Sequence, residues 1–236
     1  MKILCNICNS QPDHTKWLPE TVSVYESIIS RKISIDDSSY KKALNKNICY
    51  NLQYLEYISE CIKQLYLTSS IYTQNVKTFV IVSASIIEGI LYHELKQNNL
   101  QSKTVWNYIK DIVSETRIFE KEIRLETKTF EKLTDEKDSD MTFDQMINKV
   151  ESKKLLGDNH GIYAKINIIR QLRNKVHIHI ARSSAESDYN SFNLEKLNLA
   201  KKTLYEILYY YFQITETENN EIFQYLIVEN TEQILD

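Results

Sequence analysis

A cluster of basic and imidazole side chains between residues 170 and 179 is the part of this chain best equipped for chemistry. It reads Arg-Gln-Leu-Arg-Asn-Lys-Val-His-Ile-His. Arginine carries a permanent positive charge and a planar set of donors that matches phosphate oxygens. Histidine can accept and release a proton near neutral pH. The combination predicts a site that acts on a phosphate group.

The spacing of the cluster predicts that most of it lies on one helix. Apolar residues repeat every three or four positions through the same segment, at Ile162, Ile166, Ile169, Leu172 and Val176. If the helix continues, a polar strip lies beside this apolar face, made of Arg170, Arg173, Asn174 and His177. His179 points elsewhere unless the helix ends near Val176. The alternative is structural, because basic side chains at a helix C-terminus interact favourably with its dipole.

The stretch from Leu172 to His179 resembles the signature of the HEPN superfamily, a group of all-helical domains. That signature is an arginine, often followed by asparagine, and then a histidine after four to six intervening residues. Arg173 and His179 are separated by five residues, and Arg170 and His177 by six, so both pairs fit. Which histidine would serve stays open.

A second part of the resemblance lies in an apolar segment, Ala84–Leu91, which contains Glu88. HEPN domains often place an acidic residue within an apolar core helix, where it faces the arginine and histidine. Glu88 matches that arrangement. The resemblance covers the chain from about residue 40 to residue 212.

The resemblance implies a metal-independent endoribonuclease, of the kind found in toxin, antiphage or RNA-processing systems, acting as a homodimer with two motifs facing one cleft. A histidine, His177 or His179, would be the general acid or base. Arg170 or Arg173 would hold the phosphate, and Glu88 would position Arg173. Asn174 would orient a partner side chain or contact the phosphate. Some HEPN domains have lost catalysis, so the alternative is an inactive module that binds a partner protein or nucleotide.

The composition favours long helices. Only 3 glycines and 2 prolines occur in 236 residues, and both residue types break helices and form turns. Apolar residues at helical spacing mark long helices from Ser39 to Leu65 and from Ser69 to Leu91, and a last one from Leu194 to Tyr211. The second is apolar over most of its circumference, which predicts the centre of the core. We therefore expect an all-α bundle of four to five core helices.

Two regions are expected outside the bundle. Residues 1–35 look irregular and are assigned to an N-terminal extension, with a helical domain from 36 to 236. The segment 115–155 is dense in charged residues and is assigned to a charged helical insertion, a solvated helix followed by an acidic loop at Asp135–Asp140. Thr142 and Gln145 match a capping box that opens a further helix.

Other signals mainly exclude functions. The net charge of −3 means that nucleic-acid binding would need a local basic patch. Cys5, Cys8 and His14 have only partial zinc-ligand spacing, and no Gly-rich phosphate loop occurs, so no metal and no cofactor is expected. No signal peptide and no apolar run long enough for a membrane span were recognised, which favours a cytoplasmic protein without a membrane partner. The expected partners are RNA, a second copy and a possible antitoxin or other protein.

Overall fold

The structure is a computed structural model, and it describes residues 17–34, 39–118, 121–177 and 183–228, with the side chains of 116–118 and 121 excepted. His179 and the partial zinc spacing at Cys5, Cys8 and His14 lie outside these residues. The described chain is mostly helical and carries one antiparallel pair of strands. Its elements are α1 (Val22–Ile29), α2 (Ser39–Gln64), α3 (Ser69–Gln97), β1 (Lys103–Ile118), β2 (Lys121–Asp138), α4 (Phe143–Ser152), α5 (His160–Asn174), α6 (Asp188–Ser191), α7 (Leu194–Phe212) and α8 (Glu216–Glu221).

Helix α3 is the centre of the bundle, as its all-round apolar sequence predicts. It packs against α2, α4, α5 and α7, and Phe79, Val80 and Ile87 have no exposed surface. By length and composition alone this 29-residue helix could cross a membrane, contrary to the expectation from its shorter apolar run. In this fold 61% of its most apolar 18-residue window is buried inside the protein, as in a core helix.

The residues expected to form an N-terminal extension contribute to the core where they are described. Helix α1 packs against α2, and Tyr25, Ile28 and Ile29 are fully buried. The Tyr25 hydroxyl donates to Glu56 over 2.8 Å. Burial raises the pKa of the Glu56 carboxyl, and the bond from Tyr25 opposes that shift. The helical unit therefore includes residues 17–34.

The prediction of a solvated helix in the charged segment 115–155 is wrong as far as Asp138, and with it the purely all-α class. The chain from Lys103 to Asp138 forms the long antiparallel hairpin of β1 and β2, which makes only sparse contacts with the helices. We call this hairpin the arm. Strand β1 is rich in Val, Ile, Thr and aromatic residues, which favour strands. The charges that resembled a solvated helix face each other across the strands instead, as Glu115 does with Arg124.

The helices that flank the arginine cluster begin and end at recognisable signals. The capping box at the start of α4 is confirmed, because the Thr142 and Gln145 side chains each accept from the other's backbone N–H. Helix α5 starts after Asn159, whose side chain accepts from Gly161. It ends at Asn174, so it does not continue through His177. The single polar strip expected from a continuous helix is therefore wrong beyond Asn174.

Candidate functional site

An open depression lies where α3, α4 and α5 meet, and it holds about 620 Å³. Helix α3 contributes Glu88, the start of α4 contributes three residues, and the last turns of α5 contribute three more. The lining residues are Glu88, Thr142, Phe143, Asp144, Arg170, Arg173 and Asn174. The site is thus built from the core helix and from two helix ends.

Arg173 and Glu88 form an ion pair across α3 and α5. One terminal nitrogen of Arg173, Nη2, donates to Glu88 Oε2 over 3.0 Å. The two side chains are 37% and 26% exposed. Glu88 comes from the core helix, so its carboxylate is fixed by packing and orients the guanidinium. A guanidinium has five N–H donors in a fixed plane, and this bond to one nitrogen leaves the side chain partly open to the depression.

Arg170 lies one turn earlier on α5 and is more enclosed. Its Nε and Nη2 both donate to the Asn167 side-chain oxygen, over 2.9 and 2.8 Å. Its Nη2 also lies 3.0 Å from Asp144 Oδ1 at the start of α4. The Arg170 side chain is 20% exposed, whereas Asp144 is 51% exposed. The geometry therefore fixes Arg170 from its own helix and leaves Asp144 as its more exposed partner.

The charges that line the depression balance, since two arginines face two carboxylates. An incoming phosphate would therefore compete with these acids for the guanidinium donors. Asp144 is the easier to displace, because a half-exposed carboxylate loses little when it returns to water. Glu88 is anchored in α3 and would continue to hold Arg173. The depression can thus bind an anionic group between two pre-oriented arginines.

The structure brings together four of the six residues predicted for the site: Glu88, Arg170, Arg173 and Asn174. His177 is exposed, lies three residues beyond the end of α5 and is not among the lining residues. Because His179 lies outside the described residues, neither proposed acid–base group is placed in the depression. Sequence reasoning missed Asp144, although the capping box two residues before it marked a helix start.

His93, which is buried, and Lys201, which is partly buried, lie away from the depression. His93 is 1% exposed, and its Nδ1 lies 3.2 Å from the Tyr40 hydroxyl. Burial lowers the pKa of His93. Lys201 on α7 donates to the Ser59 hydroxyl over 2.8 Å, and burial together with Lys63 lowers its pKa to about 8. Both contacts lie within the helical core.

Within the residues that the structure describes, no group of three or more His, Cys, Asp or Glu side chains could hold a metal ion. The functional assignment therefore rests on the arginine depression. Comparison with known proteins does not add to it. No protein-family model, no curated protein and no solved structure matches the chain significantly.

Proposed function

We propose that the protein is a HEPN-type, metal-independent endoribonuclease that acts as a homodimer. The observation that carries the proposal is the Arg173–Glu88 ion pair, 3.0 Å long, at the wall of a depression that Arg170 and Asn174 also line. The resemblance of the sequence predicts this pairing of an acidic core-helix residue with the motif arginine. A structural helix end needs only a basic side chain near the C-terminus, not a carboxylate partner on another helix.

In the proposed reaction the arginines bind the scissile phosphate and stabilise the charge that develops on it. A histidine takes the proton of the ribose 2′-hydroxyl, whose oxygen attacks the adjacent phosphorus. The bond from phosphorus to the 5′-oxygen breaks, and that oxygen receives a proton from an acid. The products are a 2′,3′-cyclic phosphate and a 5′-hydroxyl end. DNA has no 2′-hydroxyl, so the reaction is specific for RNA.

The proposal requires the motif histidine to approach the arginines, and a second copy offers a way to do this. His177 lies outside the lining of its own depression. In a twofold dimer the same surface of each subunit meets at the axis, so the end of α5 in one copy can face the depression of the other. A role as a toxin or antiphage effector, with an antitoxin or other protein as partner, fits this activity.

The test is cleavage of a labelled RNA by the purified protein in EDTA. Arg173→Ala is expected to lower the rate about 100- to 1,000-fold, the usual effect of removing a charge-stabilising donor. His177→Ala or His179→Ala is expected to lower it about 100-fold or more. Lys202→Ala, an exposed charge on α7, and His160→Ala, at the opposite end of α5, are the matched controls and should cleave at the wild-type rate.

Some outcomes of these assays would contradict the proposed function. No cleavage by the wild-type protein in any RNA tested, or equal cleavage by the Arg173 and histidine variants, contradicts the proposal. A 3′-phosphate without a cyclic intermediate, or equal cleavage of DNA, contradicts the proposed chemistry.

The second candidate is an inactive HEPN-like module that binds a partner protein or nucleotide. The observation that favours it is the composition of the depression, whose described lining contains arginines, acids and an amide but no histidine. This reading predicts that a mononucleotide binds with an affinity that Arg170→Ala lowers, measured by titration calorimetry, while RNA stays intact. Absence of both binding and cleavage contradicts both candidates.

A further inference from the structure

The arm presents an aromatic and basic patch close to its base. Trp106 and Tyr108 lie two residues apart on β1, and Phe130 is the cross-strand partner of Tyr108. Side chains two residues apart on a strand share a face, and so Lys132, the partner of Trp106, lies on this face with them. Lys128 lies on the same face two residues before Phe130. We call Trp106, Tyr108, Lys128, Phe130 and Lys132 the aromatic patch.

The rings of the patch are open to solvent. Trp106 is 51% exposed, Tyr108 50% and Phe130 49%. The rings of Tyr108 and Phe130 meet edge to face, with centroids 6.0 Å apart. Such a contact stabilises the hairpin. It does not cover the rings, and the sparse contacts between the arm and the helices show that the body does not cover them either.

The exposed area of the patch limits the size of the ligand that it can bind. Three large aromatic side chains, each about half exposed, offer roughly 300 Å² of aromatic surface. A stable protein dimer needs about 800 Å² from each partner. The patch is therefore too small for a dimer interface by itself, but it suits two or three flat rings stacked one after another.

The charges of the patch identify the chemistry of that ligand. Lys128 and Lys132 lie on either side of Phe130, while Asp111 faces Lys128 across the strands and offsets one of them. Aromatic side chains interleaved with lysines are the arrangement that binds single-stranded nucleic acid, because the bases stack and the phosphates meet the ammonium groups. The opposite face of the arm at the same level carries Asn107 and Glu131, which have no such character.

The patch also lies near the arginine depression along the chain. The arm is closed at its base by a bond from the Ser139 N–H to the Ser102 carbonyl, and Thr142 and Phe143 of the depression follow directly. Phe143 follows Lys132 by eleven positions, which limits the distance between them to at most about 40 Å. A single strand of RNA held on the arm can therefore reach the depression.

We infer that the aromatic patch binds unpaired bases of single-stranded RNA and guides the strand toward the arginine depression. The inference rests on the proposed ribonuclease function for its substrate class. The binding itself requires no cleavage, so the two can be tested separately.

The experiment uses the full chain with Trp17→Phe, which leaves Trp106 as its single tryptophan. An oligouridine with 2′-O-methyl groups, which cannot be cleaved through the 2′-oxygen, is added while tryptophan fluorescence is followed. Stacking is expected to quench the emission. Tyr108→Ala and Phe130→Ala should each weaken binding at least about five-fold, the effect of losing one base stack. A duplex of the same length should bind more weakly, because its bases are not available to the rings.

The matched controls lie on the same arm and outside the patch. Ile112 and Leu125 are 49% and 50% exposed. Leu125 lies an odd number of residues from Phe130 on β2, and a register shift between Tyr108 and Lys110 pairs Ile112 with Thr127, so both side chains lie on the face opposite the patch. Ile112→Ala and Leu125→Ala should leave RNA affinity unchanged. Lys132→Gln should reduce the slope of log affinity against log salt concentration by about one.

The outcomes test RNA binding by the aromatic patch separately from the proposed ribonuclease activity. Quenching that the aromatic variants weaken supports the patch even if no RNA is ever cleaved. Normal cleavage with no quenching, and with unaltered KM in the aromatic variants, overturns the patch and leaves the ribonuclease intact. Sedimentation that shows a wild-type dimer and a monomeric Tyr108→Ala/Phe130→Ala variant, with no quenching by RNA, overturns the patch in favour of a second copy.

Discussion

The Glu88–Arg173 pair gives the sharpest prediction, because its structural and functional effects should differ in size. The side chains are 26% and 37% exposed, with 3.0 Å between nitrogen and oxygen. Exposed pairs contribute at most about 1 kcal/mol, whereas breaking a fully buried pair costs about 3–5 kcal/mol. At this exposure solvent screens much of the attraction. We therefore expect a coupling free energy of about 1 kcal/mol.

The assay is a double-mutant cycle with Glu88→Gln, Arg173→Met and the double variant, using urea unfolding followed by helical circular dichroism. The same four proteins are assayed for RNA cleavage. Each single variant should lose about 100-fold or more in rate, far beyond what a loss of about 1 kcal/mol in stability explains. Arg173→Lys should recover part of the coupling but little of the activity, because lysine lacks the planar fork. A coupling above about 3 kcal/mol, with cleavage rates that follow only the folded fraction, would show that the pair merely fastens α5 to α3 and has no role in catalysis.

Three further predictions concern the rest of the fold. Burial lowers the pKa of His93 in the folded protein. Below about pH 6.5, His93 therefore binds a proton more readily in the unfolded chain than in the folded protein. Stability should therefore fall by up to about 1 kcal/mol per pH unit below pH 6.5, and His93→Gln should flatten this slope in urea unfolding between pH 7 and pH 5. Burial and Lys63 lower the pKa of Lys201 to about 8, so Lys201→Met should stabilise the protein by about 1–2 kcal/mol below pH 8, and the gain should vanish as the pH rises toward about 10.5. If Lys201→Met and the wild type are equally stable at pH 7 as well as at pH 10, this prediction is contradicted. Replacing residues 104–137 of the arm by Asn-Gly should leave the helical dichroism of the remaining chain and its melting temperature within about 5 °C of the wild type, because the arm makes few contacts with the helices; loss of the cooperative transition would show that the arm is part of the core.

The long helices were predictable because each buries a continuous apolar face. The apolar repeats of α2, α3 and α7 extend over many turns, and the capping box at Thr142 is a local signal that needs no partner. The arm was missed for a physical reason. No glycine or proline occurs between Lys103 and Asp138 to mark a turn, and its charges lie as densely as on a solvated helix. Their pairing across two strands is not visible in either segment alone.

The contacts of the candidate site were also predictable only in part. The pairing of Glu88 with Arg173 was expected from the resemblance to HEPN domains, which supplies a long-range contact that periodicity cannot. The contact of Asp144 with Arg170 depends on how α4 packs on α5. The burial of His93 depends on Tyr40 of α2, a residue far away in sequence. Apart from the Glu88–Arg173 pair, the contacts between elements therefore required the structure, as did the arm and the packing of α1 into the core.

The most direct test of the central claim is the cleavage of a single-stranded RNA by the wild-type protein in EDTA, compared with Arg173→Ala and the charge-matched control Lys202→Ala. We expect cleavage by the wild type and by Lys202→Ala, with 2′,3′-cyclic phosphate ends, and a rate at least about 100-fold lower for Arg173→Ala. Full cleavage by Arg173→Ala would contradict the proposed ribonuclease site, as would an RNA that the wild type leaves intact.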